Sequence, residues 1–177
     1  MTSPSPSSSP SCPGSPTSSP GSPTSSPAAY TSADVGWLRR AVELAHDCPP
    51  STTAFSVGAV IVDAEGRELA SGHSRELAPD FHAEESALAK LAGTPVPAGA
   101  TLYSSLEPCS RRASRPTPCS ELVIASGIRR VVIAWREPDV FVTNCQGVRL
   151  MAESGVDVIE IPELAESARA ANAHLRF

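Results

Sequence analysis

The chain has 177 residues, a net charge of −5, 41% hydrophobic residues and only 5% aromatic ones. That balance gives no footing for a general nucleic-acid or membrane-surface binder, and no run approaches the roughly 18 apolar residues that a membrane-spanning helix needs. The chain holds five cysteines and opens without a basic-then-apolar leader, so a cytoplasmic location is expected and the cysteines read as thiols or ligands, not disulfides.

Residues 1–29 form a Ser/Pro-rich tail in which Gly-Ser-Pro-Thr-Ser-Ser-Pro occurs at Gly14–Pro20 and again at Gly21–Pro27. Its few apolar side chains cannot offset chain entropy, so the stretch is expected to be disordered, either dispensable or an arm for a partner. Residues 30–177 remain, which suits one domain with a proper core. Thr31 or Ser32 caps a first helix with Asp34 in its first turn, Val35, Leu38 and Val42 at helical spacing, and Pro49-Pro50 as its stop. His46 and Cys48 read as ordinary helix-end residues.

Val57–Val62 is a continuous apolar run, as in a strand buried on both faces; Asp63–Gly66 is a turn and Arg67–Ser71 the returning strand of a hairpin. His73 falls in the following loop, either touching a substrate or solvated. A helix starts near His82 and runs to Leu91, with Gly93 as its stop. Thr101–Ser105 is a strand that delivers Glu107-Pro108-Cys109, and a further helix begins at Cys119 and ends at Gly127. Val131–Trp135 is a buried, parallel strand. A loop from Glu137 to Gly147, a short helix, the strand Val156–Ile161 and a last helix from Glu163 complete the chain. Asn144 and Cys145 read as structural, and His174 as a terminal residue without a partner. The alternation gives a three-layer α/β/α sandwich around a mixed sheet of about five strands.

The chemistry concentrates between Phe81 and Glu121. His82, Cys109 and Cys119 are one imidazole and two potential thiolates, the donor set of a three-ligand zinc site; two thiolates cancel the charge of Zn²⁺ and the fourth tetrahedral position stays open for water. Glu84 lies two residues from the imidazole and, on a helix, shares a face with Ala87, Leu88 and Leu91. An acid on an apolar face is costly unless it trades protons with a partner, so Glu84 reads as general acid/base and not as a fourth ligand. Buried small hydrophobes or a redox pair are the other readings of the two cysteines; nine intervening residues argue against the redox motif. Within those nine, Arg111, Arg112 and Arg115 suit a phosphate-bearing substrate or, alternatively, a solvated loop.

His82-Ala83-Glu84 with Pro108-Cys109 and Pro118-Cys119 resembles the zinc-dependent cytidine/deoxycytidylate deaminase superfamily, whose signature is H-x-E followed by P-C-x-x-C. Where most members have two residues between the cysteines, the long Arg/Thr/Pro insert is similar to that of the pyrimidine deaminase of riboflavin biosynthesis, and the resemblance covers about residues 34 to 177. It implies a Zn²⁺ cofactor, a small-molecule aminopyrimidine nucleoside or nucleotide as substrate, hydrolytic deamination, and a homo-oligomer. It also implies a deaminase domain without the reductase domain that bacterial members carry. Arg115 matches the family's arginine four residues before the second cysteine, whereas Arg111 stands where the family usually has histidine.

One departure bears on the substrate. The riboflavin-type enzymes usually place Pro-Asn-Pro before Val-Gly-Ala, with the asparagine touching substrate; here Thr53-Ala54-Phe55 stands there. Ala54 cannot make that hydrogen bond, and Phe55-Ser56-Val57-Gly58-Ala59 is closer to cytidine deaminases. Cytidine or deoxycytidylate is therefore the alternative substrate. A non-catalytic zinc-binding protein on the same fold is the reading from another class, against which Glu84 counts.

Overall fold

The computed structural model describes residues 1–2, 30–141 and 144–175. Apart from Met1 and Thr2, the tail and the disorder expected of it lie outside the described residues.

Helix α1 spans Ser32–Ala45, with Thr31 as its N-cap. The Thr31 hydroxyl accepts from the Asp34 amide at 3.2 Å and the Asp34 carboxylate accepts from the Thr31 amide at 2.7 Å. This reciprocal capping box satisfies two amides that a helix start would otherwise leave without partners. Strand β1, Gly58–Val62, is buried along its whole length and pairs antiparallel with β2, Glu68–His73. Pairing continues as far as Gly58 opposite His73, so His73 is the last residue of a strand and not the loop residue expected.

Helix α2, Ala83–Lys90, follows, then β3, Thr101–Ser104, and α3, Cys119–Ala125. The remaining elements are β4, Arg130–Ile133; α4, Gly147–Glu153; β5, Asp157–Glu160; and α5, Ala165–Ala170. The last helix was expected from Glu163, but Pro162–Leu164 forms a tight 3₁₀ turn first. Nor is His174 without a partner: its Nε2 lies 2.8 Å from the Ser51 carbonyl oxygen.

The sheet order is β2-β1-β3-β4-β5. β1 runs antiparallel to both β2 and β3, while β3, β4 and β5 are mutually parallel. Helix α1 packs on β1 and β3 and touches α5, whereas α2 packs on β1 and β2 and reaches α4 through α3. Helices therefore cover both faces, and the strands between them read as continuous apolar runs because neither face meets water. Two glycines set how closely these layers approach. A Cβ on Gly58 would stand 2.1 Å from the Ala41 carbonyl oxygen, and one on Gly72 would stand 2.6 Å from the Ala87 amide and 2.7 Å from Ser86 Cβ. The second contact seats the small side chains of α2 directly on the hairpin and fixes the helix whose first turn carries His82 and Glu84.

Candidate active site

Three segments arrive at one point. His82 is the N-cap of α2, with Glu84 in its first turn. The chain leaving the carboxyl end of β3 carries Glu107-Pro108-Cys109, the end at which ligands collect in sheets with parallel strands. Cys119 opens α3. His82 Nδ1 lies 3.5 Å from Cys109 Sγ and 3.4 Å from Cys119 Sγ, and the donor atoms of all three residues fall within 4.8 Å of one another. Around a tetrahedral zinc with Zn–S of about 2.3 Å and Zn–N of about 2.0–2.1 Å, sulfur and nitrogen ligands stand roughly 3.6 Å apart. The donor set and its spacing thus fit that ion.

Charge is distributed unevenly between the thiols. The Cys119 amide donates to Cys109 Sγ at 3.4 Å, and the Cys109 pKa is lowered to about 4, first by its hydrogen bond with Cys119 and then, against burial, by His82. Cys119 is instead raised well above the ordinary thiol value by that hydrogen bond and by burial.

Glu84 is 3% exposed and accepts from Ser104 Oγ at 2.9 Å. Burial pushes its pKa up, with the nearby His82 opposing. It borders the same cavity of about 420 Å³ as His82 and Cys109. A protonatable acid is therefore held at the edge of the cavity that His82 and Cys109 line.

Residues 31–135 match the family model described as the cytidine and deoxycytidylate deaminase zinc-binding region. The chain belongs to that family. Over 127 residues it is 40% identical to the diaminohydroxyphosphoribosylamino-pyrimidine deaminase of Schizosaccharomyces pombe, a match that takes in 70% of this chain and 31% of the relative. It is 39% identical over 117 residues to the riboflavin biosynthesis protein RibD of Aquifex aeolicus, covering 66% of this chain and 31% of that one. The chain thus spans about a third of the length of these curated relatives. Among solved structures, the diaminohydroxyphosphoribosylaminopyrimidine deaminase/reductase of Thermotoga maritima superposes with a TM-score of 0.65 at 36% identity, covering 78% of this chain and 39% of that one. The Aspergillus oryzae Rib2 deaminase, a C-terminal deletion mutant, superposes with a TM-score of 0.65 at 26% identity over 80% of this chain and 99% of that one. The three-layer sandwich expected from the sequence is the fold of these deaminases.

Around the family's metal-binding segments, the expected substrate residues are sorted unevenly. Arg111 is exposed and lines the cavity, whereas Arg115 and His73 are not among the residues that line it. Arg115 is held elsewhere. Its Nε and Nη2 lie 3.0 and 3.1 Å from the two oxygens of Asp80, its Nη1 lies 3.3 Å from Glu85, and its guanidinium stacks 4.2 Å over Phe81. Arg112, its side chain only 3% exposed, pairs with Glu85 at 3.0 Å and donates to the Asp80 carbonyl at 2.7 Å. The acids of α2 and the loop before it thus neutralise two of the three insert arginines, and the insert is pinned across the metal donors as a wall. His73 Nδ1 sits 3.2 Å from the Ser74 carbonyl oxygen.

Other residues at the cavity were given no role from the sequence. Glu107 is buried; it accepts from the Val148 amide at 2.8 Å and the Glu137 amide at 3.2 Å, so it ties the 137–147 loop to the metal segment. Gly147 completes that contact, since a Cβ there would meet the Pro108 carbonyl oxygen at 1.9 Å. Glu137 lines the cavity with its pKa pushed up to about 7, chiefly by burial. Phe55 meets Trp135 edge-on at 6.0 Å and Phe141 at 4.9 Å between ring centroids, and Phe55 and Phe141 both face the cavity. Glu107 inside Glu-Pro-Cys and Phe55 inside Phe-Ser-Val-Gly-Ala offered a sequence signal; the aromatic wall did not, because it joins residues far apart in the chain.

Proposed function

We propose that this chain catalyses zinc-dependent hydrolytic deamination of an aminopyrimidine borne on a ribose or ribose phosphate, as the names of its relatives indicate for them. The observation that carries the reading is Glu84, a buried acid on the same cavity as two members, His82 and Cys109, of a three-residue zinc-competent cluster. His82, Cys109 and Cys119 would hold the ion, which when bound supplies an acidified water as nucleophile. With the ion in place, Glu84 would take up the two protons of the water in turn and pass one to the ring nitrogen and the other to the leaving amine, so that ammonia departs as the new C–O bond replaces the C–N bond. Ser104 fixes one Glu84 oxygen. Phe55 and Phe141, their rings inclined at 69°, give an apolar wall for the ring to pack on, and the exposed guanidinium of Arg111 gives a positive charge at the cavity.

Cytidine or deoxycytidylate is the second reading, favoured by one feature: Ala54 lines the cavity and carries no polar group to grip a substituted ring. Ammonia release from the riboflavin-pathway aminopyrimidine, cytidine and deoxycytidylate separates the two. Turnover of the first at least tenfold faster than the others is expected; preference for cytidine or deoxycytidylate would reverse the assignment, and release from none would count against deamination of this class. The same reading makes the chain a cytoplasmic homo-oligomer, for which light scattering on the purified protein is the check and a monomer the contrary result.

A further inference from the structure

Residues 49–56 form the cavity wall that carries Thr53, Ala54 and Phe55, and they belong to neither helix nor strand. Such a segment must find partners for its backbone outside regular structure. Asn172 pairs with both backbone groups of Ser56, His174 lies against the Ser51 carbonyl, and Arg75 holds the carbonyls of Pro49 and Phe55. The Arg75 Nε donates to the Pro49 carbonyl at 2.8 Å, Nη1 to the Phe55 carbonyl at 3.0 Å and Nη2 to Ser56 Oγ at 3.1 Å. The Arg75 amide in turn donates to the Phe81 carbonyl at 2.8 Å, one residue before His82. One residue thereby joins the aromatic wall to the segment that presents the imidazole.

Two features mark Arg75 as more than a convenient surface donor. Its φ is +65°, shared among non-glycine described residues only by Thr2 and Asn144, a conformation disfavoured for any residue with a Cβ and kept where the surroundings enforce it. Its guanidinium contacts two carbonyls and a hydroxyl, and no carboxylate pairs with it among the described residues, unlike Arg112 and Arg115. A planar fork with donors in three directions can hold three acceptors at fixed angles, which a lysine ammonium cannot reproduce.

We infer that Arg75 is a positioning residue of the deaminase site: it sets where Phe55 stands relative to His82 and Glu84, and so where the substrate ring lies. The inference rests on the deaminase reading for its kinetic consequence, but the wall itself has an independent reporter. Phe55 packs on Trp135, so in a Trp37→Phe background the emission of Trp135 reads the wall directly.

The test compares R75G and R75K with the parent chain. Glycine adopts a φ of +65° freely, so R75G keeps the turn and removes only the side chain. Expected for R75G is a fall in kcat/KM of roughly 10- to 100-fold, with zinc content unchanged and a shifted Trp135 emission. Added guanidinium at low millimolar concentration restores part of both signals and ammonium restores neither; R75K behaves like R75G. Parental kcat/KM and emission in R75G would overturn the inference. So would loss of zinc with no response to guanidinium, which would make Arg75 a folding residue only. If the parent chain itself deaminates no pyrimidine, the functional reading fails, while Trp135 emission and its response to guanidinium still decide the role of Arg75.

Discussion

At the scale of single residues, the proposed role of Glu84 rests on its burial. A carboxyl group this deeply buried would be costly without compensation, and the structure gives it one hydroxyl donor, Ser104, and a place beside the metal donors. Glu84→Gln keeps the size of the side chain and an oxygen for Ser104, but it cannot carry a proton. Turnover is expected to fall by roughly 10²- to 10⁴-fold with zinc stoichiometry and melting temperature essentially unchanged, measured by ammonia release beside elemental analysis. An active Gln variant would assign proton transfer to another group. The metal donors and this acid were legible because a short motif must place them. Arg75 and Glu137 were not, since their significance comes from a backbone conformation in one case and from burial in a loop in the other.

Among the elements, α1 shows how one local signal conceals a longer-range one. The capping box at Thr31 and Asp34 could be read from the sequence as a helix start. That Asp34 also accepts from Tyr103 of β3 at 2.8 Å, and from Arg130 of β4 at 2.7 and 3.0 Å, could not, because those partners lie 69 and 96 residues away. Burial works to raise the Asp34 pKa, but hydrogen bonds from Arg130, Thr31 and Tyr103 outweigh it and hold the carboxyl well below the usual range. A depressed carboxylate contributes stability that is fully present above its unfolded value of about 4 and is lost as pH falls through the folded value. Asp34→Ala should cost about 3 kcal/mol at neutral pH, because it removes a cap and leaves the Tyr103 hydroxyl and the Arg130 guanidinium without their acceptor. Denaturant titration is the measurement. The difference between parent and variant should narrow as pH drops below about 4; a constant difference down to pH 2 would mean that the carboxylate charge is not what stabilises the helix start.

For the molecule as a whole, the core and the metal donors are separable. The central strands β1, β3 and β4 are buried between helices on both faces, and their alternation with helices was legible because short apolar runs bounded by turn residues alternate with apolar residues at helical spacing. The two-residue differences at the hairpin end and before α5 were not, since pairing partners and a 3₁₀ turn decide them. None of the largest buried side chains of that core belongs to the three metal donors. Chelation should therefore leave a folded protein, in contrast to small zinc domains whose fold is the metal's own binding energy. The ion still stabilises by mass action, by about 4 kcal/mol at a thousandfold excess over its dissociation constant, which in a chain of this size corresponds to roughly 10 °C in melting temperature. Calorimetry of the chelated protein should show one cooperative transition, lowered by about that amount and restored on adding zinc. An unfolded chelated protein would show instead that the segments carrying His82, Cys109 and Cys119 are assembled by the metal, and that the hydrophobic core does not hold without it.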